Sequence, residues 1–501
     1  MLFARAQVRR NFPVLGNVRY MFETIRPEIR QYFVESDTES VPFSRLERSI
    51  VYQRAKGVPD TLSFGTRQDV HAVGYEWCRH SMQPHHVPAD AARVAIGGPA
   101  VAPQHVYSSS LLNVSGMSYG ALSDNAILAL NTAARLGGFS HNTGEGGISR
   151  FHLAPGGDIV WNIGSGYFGC RDEDGSFSPG RFAETASPAS VRMIELKLSQ
   201  GAKPAHGGIL PAAKVTPLIA EARGVPLGRD CLSPLRHSAF SGPRGMLLFI
   251  QQLRTLSGGK PVGIKLCLGQ PADFAALVRA MVELDVTPDF ITVDGAEGGT
   301  GAAPPEFSNS VGAPMEEGLS LVHGMLCGAG LRPRIKLIAA GKILTGFGVV
   351  RTLALGADVC NAARAMMFAL GCIQALKCNS NACPSGVATQ NPELTAGLVP
   401  EDKALRVYRY HHATVSAALE IVGAMGLRSP AEVSAAHVMR RVSATSALSF
   451  AELHPPVDPG CLLRGEGPTA LQMAWDEAGD RLASRDAPRE EVLGRAAAAV
   501  A

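Results

Sequence analysis

Cys372, Cys378 and Cys383 fall within the run GCIQALKCNSNACPSGVATQ with the spacing C-x5-C-x4-C. Iron–sulfur clusters are held by thiolates that tight backbone turns bring together, and Asn379, Asn381, Pro384 and Gly386 supply that turn chemistry here. Three thiolates suit a three-iron cluster, and hence electron transfer. Zinc normally takes a fourth ligand, and buried structural cysteines are the other reading of the trio.

Glycine signals a second chemistry. The loops Gly116-Met117-Ser118-Tyr119-Gly120, Thr143-Gly144-Glu145-Gly146-Gly147 and Asp294-Gly295-Ala296-Glu297-Gly298-Gly299-Thr300-Gly301 each follow an apolar run. Without a Cβ, backbone can approach a flat ligand closely, and three such loops at equivalent places favour a ligand site over ordinary turns. Glu145 is the acid/base candidate, a carboxyl group able to manage a proton beside that ligand. Lys265 closes the apolar run PVGIKL, where a lysine points into a mouth rather than outward to solvent.

Such loops need a scaffold that delivers them to one place. From about Ser108, short apolar runs alternate with helical periodicity, as in a βα-repeat chain. Strands are predicted in LLNVSG at Leu111, FSHNTG at Phe139, MIELKL at Met193, PVGIKLCL at Pro261, DFITVDG at Asp289, RIKLIAAG at Arg334 and ADVCNAA at Ala357. Helix-like segments such as Ala121 to Leu136 and Pro271 to Leu284 separate them, which predicts an α/β fold, a (βα)8 TIM-type barrel. The eighth strand is expected between Pro226 and Pro234. Catalytic groups of such barrels sit on the loops after the strands, and a phosphate commonly lies near the last two, here Gly341 and Ala362-Ala363-Arg364. Flavin mononucleotide (FMN) fits that layout.

The 501 residues carry 47 basic and 44 acidic side chains, a net +3, which gives no reason to expect nucleic acid. The other seven of the ten cysteines are scattered, as in a reducing compartment, so the expected location is cytoplasmic. Arg5, Arg9, Arg10, Arg19, Arg26 and Arg30 interrupt the apolar N-terminus, so no stretch reaches the roughly 20 residues of a membrane span. This segment is expected to pack on the enzyme as a helical arm; lying on an anionic surface is the alternative. The predicted organisation is an N-terminal helical arm over 1–107, the barrel over 108–392, and a C-terminal helical extension over 393–501 that caps the barrel and frays after Arg495.

Together GMSYGALS, NTGEGG, KLSQGAKPAHGGILPAAKV, DGAEGGTGAAP and GC…C…CPSGVATQ resemble, in order over roughly Ser108 to Pro392, the synthase region of FMN-binding glutamate synthases, above all the stand-alone proteins of that kind. The resemblance implies an FMN-binding barrel with a 3Fe-4S cluster on Cys372, Cys378 and Cys383, reducing 2-iminoglutarate, formed from 2-oxoglutarate and ammonia, to glutamate. It implies flavin contacts from Met117, Ser118, Tyr119, Gln200, Lys265, Gly298, Gly299, Thr300, Gly341, Lys342, Ala362, Ala363 and Arg364. Lys203 and Arg223 match carboxylate-binding positions, Lys203 also counting with Glu145 and Lys265 as catalytic. His237 matches a family histidine whose role stays open, and Arg223 could equally cap its helix.

Three departures bear on mechanism. Residue 2 is Leu2, where the family's amidotransferase domain uses cysteine, and the stretch before Ser108 is too short for that domain, so a separate ammonia source is implied. The GxGxxG string Gly164 to Gly169 opens no helix, so a Rossmann site is unsupported and a separate electron donor, such as a ferredoxin or a reductase subunit, is implied. Tyr167 and Ile209 stand where the large enzymes carry arginine and glutamine, which removes two carboxylate partners. A related amino or 2-oxo acid such as an N-methylglutamate, or an electron-relay subunit without turnover of its own, are the competing readings.

Overall fold

A computed structural model describes residues 12–38 and 41–485; Leu2, the first three arginines and the Ala-rich tail lie outside the described residues. Eight parallel strands close into a barrel: β1 (Leu112–Val114), β2 (His141–Asn142), β3 (Ile159–Ile163), β4 (Val191–Lys197), β5 (Val262–Leu266), β6 (Phe290–Asp294), β7 (Lys336–Ala340) and β8 (Val359–Ala362). Closure is made by β8 on β1, Asn361 opposite Asn113.

Seven strands lie in the predicted runs, and the eighth requires a correction. It is β3, not the stretch from Pro226 to Pro234, of which only Cys231–Leu232 is extended, in an antiparallel ribbon with Ile209–Leu210. Only a 3-10 turn, Gly144–Gly146, and one α-helical turn, Arg150–Leu153, separate β2 from β3, so the strand–helix rhythm fails there. Asn162 also interrupts the apolar run.

The surrounding helices show why the sequence folds this way. Helices used below are α1 (Pro13–Ile29), α2 (Arg45–Lys56), α3 (Asp124–Gly137), α4 (Pro271–Leu284), α5 (Gly346–Ala354), α6 (Arg364–Leu370), α7 (Pro400–Ala424) and α8 (Thr469–Arg485). The Ser123 hydroxyl accepts from the Ala126 N–H to start α3, and Gly138, at φ 61°, ends it. Between them Ile127, Leu130 and Ala134 recur at helical spacing and are buried against the barrel. Ser44 and Glu47 form a reciprocal capping box on α2, which packs on α6 and α7.

An antiparallel pair, Arg93–Ile96 with Tyr107–Ser110, closes the barrel floor: Ile96 and Tyr107 pack among Val160, Met193, Phe290, Ile338 and Val359. Above this plug sits a polar layer. Glu195 on β4 is buried and accepts from Asn142 and Asn162, each at 2.7 Å, and from Thr292 at 2.6 Å. Three donors satisfy a carboxylate that burial would otherwise disfavour.

The chain after 392 lies on the flanks of the barrel. α7 buries Val407, Tyr410 and Val422 along α3, α2 and α5, and α8 packs on α4. Val438–Arg441 pairs between Glu76–Cys78 and Ala447–Ser449 in a three-stranded sheet. No described residue beyond 392 lines the mouth cavities: the apolar face of α7 is spent on neighbouring helices. Nor does α1 pack along its length on the enzyme; its apolar side is exposed. No helix among the described residues is long and apolar enough to cross a membrane.

A largely buried ion network ties the ends together. Arg351 and Arg440 each bridge Glu76 and Glu316 at 2.5 Å, and His454 Nε2 lies 2.9 Å from Glu316. Burial raises the pKa of Glu316, but hydrogen bonds from His454 and Arg440 and the two guanidinium charges outweigh it and hold the carboxyl far below its ordinary 4.5. Its stabilisation is therefore complete above about pH 4.5 and drains away as pH falls toward the depressed value. Glu316→Gln is expected to cost about 2 kcal/mol in urea unfolding at neutral pH and to flatten the acid limb below about pH 4.5. An unchanged midpoint at pH 7 would show that the network stabilises nothing.

Candidate active site

The C-terminal strand ends open onto a cavity of about 320 Å³ that adjoins a smaller one of about 70 Å³. Phe43, Gly116, Gln200, Lys265, Gly299, Ala363 and Arg364 border both. Two glycines let the loops close. Gly144 has φ +63°, and a Cβ there would sit 2.6 Å from the Ser118 nitrogen; at Gly201 a Cβ would lie 1.7 Å from the Gly295 carbonyl oxygen.

Charge is concentrated at the meeting of the two cavities. Lys265, at the end of β5, is buried with Nζ 3.4 Å from Asp294 Oδ2, which also accepts from the Gly201 N–H at 3.0 Å. Burial lowers the Lys265 pKa, but Asp294 and Glu195 outweigh it and keep the ammonium charged. On the opposite wall Lys197 Nζ donates to Glu145 Oε2 at 2.8 Å and to Gln200 Oε1 at 2.6 Å. Burial raises the pKa of Glu145, yet Lys197, with Lys203 and Arg223 behind it, brings the net value below the ordinary one. Glu145 is thus a carboxylate at neutral pH, a base rather than an acid. Lys203 is buried and its pKa is lowered, chiefly by desolvation, which favours release of its proton.

Of the residues singled out in the sequence, Met117, Ser118, Glu145, Gln200, Lys203, Ile209, Lys265, Gly299, Thr300, Ala363, Arg364 and all three cysteines line the larger cavity. Gly298, Gly341, Lys342 and Ala362 line the smaller one. Four, Tyr119, Tyr167, Arg223 and His237, fall outside both. Tyr119 is buried against Phe151, its carbonyl accepting from Arg223 Nη2 at 2.9 Å. Arg223 is spent on that bond, on Cys231 Sγ at 3.6 Å and on the Phe168 ring at 5.2 Å, so it braces the first glycine loop from behind. Tyr167 is fully buried, its hydroxyl accepting from the Ala239 N–H at 3.0 Å and lying 3.2 Å from His237 Nδ1. His237 Nε2 in turn reaches the Lys197 carbonyl at 2.8 Å. Burial pushes the His237 pKa down to about 4, so it is a neutral strut beneath Lys197.

Four wall residues were not foreseen. Lys197 and Asn162 stand on β4 and β3, Lys214 follows the Ile209–Leu210 ribbon, and Phe43 arrives from before α2. The Phe43 ring is flanked by Arg364 at 4.6 Å and Lys342 at 5.8 Å. Buried Lys214 donates to the carbonyls of Cys378 at 2.9 Å and Ala388 at 3.0 Å, which pins the cysteine loop to the cavity wall.

The conserved region of glutamate synthases matches residues 77–428. The chain belongs to the glutamate synthase family. It is 38% identical over 473 residues to the glutamate synthase large subunit-like protein YerD of Bacillus subtilis, covering 87% of this chain and 90% of YerD. It is 35% identical over 314 residues to the archaeal-type glutamate synthase [NADPH] of Thermotoga neapolitana, where the match covers 62% of this chain and 59% of the relative. Like its relatives in this family it is an oxidoreductase.

The family's cofactor chemistry can be tested against these residues. Glycine loops and the cations Lys265, Lys342 and Arg364 around contiguous cavities suit a flat anionic ligand with a phosphate tail. No group of three or more His, Cys, Asp or Glu among the described residues is arranged to hold a single metal ion. A cluster needs a different arrangement, thiols spread around several irons, and all three cysteines face one cavity. Burial pushes the Cys372 thiol up to about 12 and also raises Cys378. At Cys383 burial is outweighed by Ser385 and by backbone N–H groups of Ala388, Ser385 and Val387, so its thiolate is favoured. The GxGxxG string after β3 forms turns; the next helix starts only at Pro179.

Proposed function

We propose that this protein is a glutamate-synthase-type reductive aminase that holds FMN in the two mouth cavities and a 3Fe-4S cluster on Cys372, Cys378 and Cys383. One observation carries the reading: the three cysteines, five lysines and Glu145 line a single cavity at the strand ends. When bound, FMN supplies hydride to an imine carbon and the cluster supplies electrons one at a time. Lys265 would stabilise negative charge on a bound flavin, and Phe43 walls both cavities. Lys203 holds a substrate carboxylate or yields a proton to the reduced nitrogen. Glu145, kept ionised by Lys197, takes a proton as ammonia condenses with the oxo acid. The reaction also takes ammonia and a low-potential electron donor such as a ferredoxin or a reductase subunit.

Ile209 favours a second reading. It lines the cavity but offers no hydrogen bond, so a 2-oxo or amino acid related to glutamate, such as an N-methylglutamate, suits this wall as well as 2-oxoglutarate. An assay of anaerobically purified protein with 2-oxoglutarate, ammonium and a low-potential donor should yield glutamate. Turnover of an N-methylglutamate instead selects the second substrate, and activity only on adding a partner marks a relay subunit. A preparation lacking both flavin bands and the broad iron–sulfur absorption would sink all three.

Lys214 supports the cluster assignment from the side of charge. Lys214→Met should leave iron bound but lower the cluster's reduction potential by on the order of 60 mV, about tenfold in a one-electron equilibrium. An unshifted potential in a redox titration would limit Lys214 to holding the loop.

A further inference from the structure

Among the described residues, none covers the apolar side of α1. Val14, Leu15, Val18, Met21, Phe22, Ile25 and Ile29 fall within an arc of about 120° at 100° per residue. All seven are exposed, from 75% at Val14 to 38% at Ile29, and Tyr32 and Phe33 continue the apolar run at 56% and 85%. The chain touches the enzyme just past the helix, where Gln31 Nε2 in the turn Arg30–Val34 donates to the Ile373 carbonyl at 2.9 Å.

Charge decides what covers this face. The first 34 residues hold six of the 47 basic side chains (Arg5, Arg9, Arg10, Arg19, Arg26 and Arg30) and two of the 44 acidic ones (Glu23 and Glu28). That is 6 − 2 = +4 in these 34 residues against +3 for the whole chain, so the remainder nets −1. The positive charge of this protein is thus localised on its apolar arm. Arg19 and Arg26 flank one edge of the stripe; the exposed contact of Arg19 with Glu23 at 3.1 Å is worth little. Self-pairing fits less well: the stripe is wider than a two-stranded seam, 17 residues are fewer than the three to four heptads a coiled coil needs, and Pro27 lies inside.

We propose that α1 is an interfacial helix that holds this enzyme on an anionic lipid surface, its apolar arc at the acyl boundary and its arginines among the headgroups. Arginine on the polar side with Phe, Leu and Ile on the other is the composition that binds in this way, and apolar burial and headgroup attraction add. The inference is independent of the cofactor assignment, since it rests on residues outside the cavities.

The test is co-sedimentation of the full chain with phosphatidylcholine vesicles, with or without phosphatidylglycerol. Wild-type protein should pellet with the anionic vesicles only, less at raised salt. Phe22→Glu with Ile25→Glu should weaken binding about tenfold or more at unchanged thermal stability. Protein that stays in the supernatant with anionic vesicles overturns the proposal, as does binding that the double variant leaves intact. A concentration-dependent dimer in velocity sedimentation that the double variant abolishes would assign the face to a second copy instead.

Discussion

Replacing Cys378 by alanine is expected to strip iron from the protein while leaving most of the flavin bound. Cys378 shares its cavity wall with Cys372 and Cys383, and two thiolates cannot hold what three are needed to hold. The proposed flavin contacts come from other loops, those after β1, β4, β6, β7 and β8. Iron content should fall to near zero, and the broad absorption and the cluster's paramagnetic signal should vanish with it. Flavin bands should persist. Iron retained at the wild-type ratio would remove the cluster from this loop.

Lys265→Met should slow flavin reduction by roughly 100-fold or more, the loss typical of removing a preorganised charge from a developing anion. Methionine keeps the volume of the lysine stem, and Asp294 retains the Gly201 N–H, so the fold should survive with a modest loss of stability. Stopped-flow reduction and a flavin midpoint titration check this together. A wild-type rate at an unshifted potential would mean that Lys265 serves only Asp294 and Glu195.

The barrel was legible because seven of its strands are short apolar runs with clear helices between them. β3 escaped because helix and periodicity fail together: one α-helical turn precedes it and Asn162 sits within it, the polar side chain being needed by Glu195. The glycine loops named most of the mouth for a physical reason, since loops packed as closely as Gly144 on Ser118 and Gly201 on Gly295 demand glycine in the sequence itself. The signal that singled out Lys265, a lysine closing an apolar run, is equally present at Lys197 and could have found it. Phe43 had no such signal, for its place depends on α2 packing against α6. Tyr167 and Arg223 show the converse: a family position says which residue stands there, not which way it faces, and both side chains turn into the interior.

Phe43 also has a bearing on time. It borders both cavities, packs edge-on against Phe368 at 5.3 Å, and is followed at once by the capping serine of α2. A ligand in the smaller cavity is therefore walled in by chain that precedes every barrel strand, yet finds its place only once β7, β8 and α6 exist to receive it. Loosening that wall, as in Phe43→Ala, is therefore expected to shorten the residence of a ligand in the smaller cavity while every glycine loop stays in place.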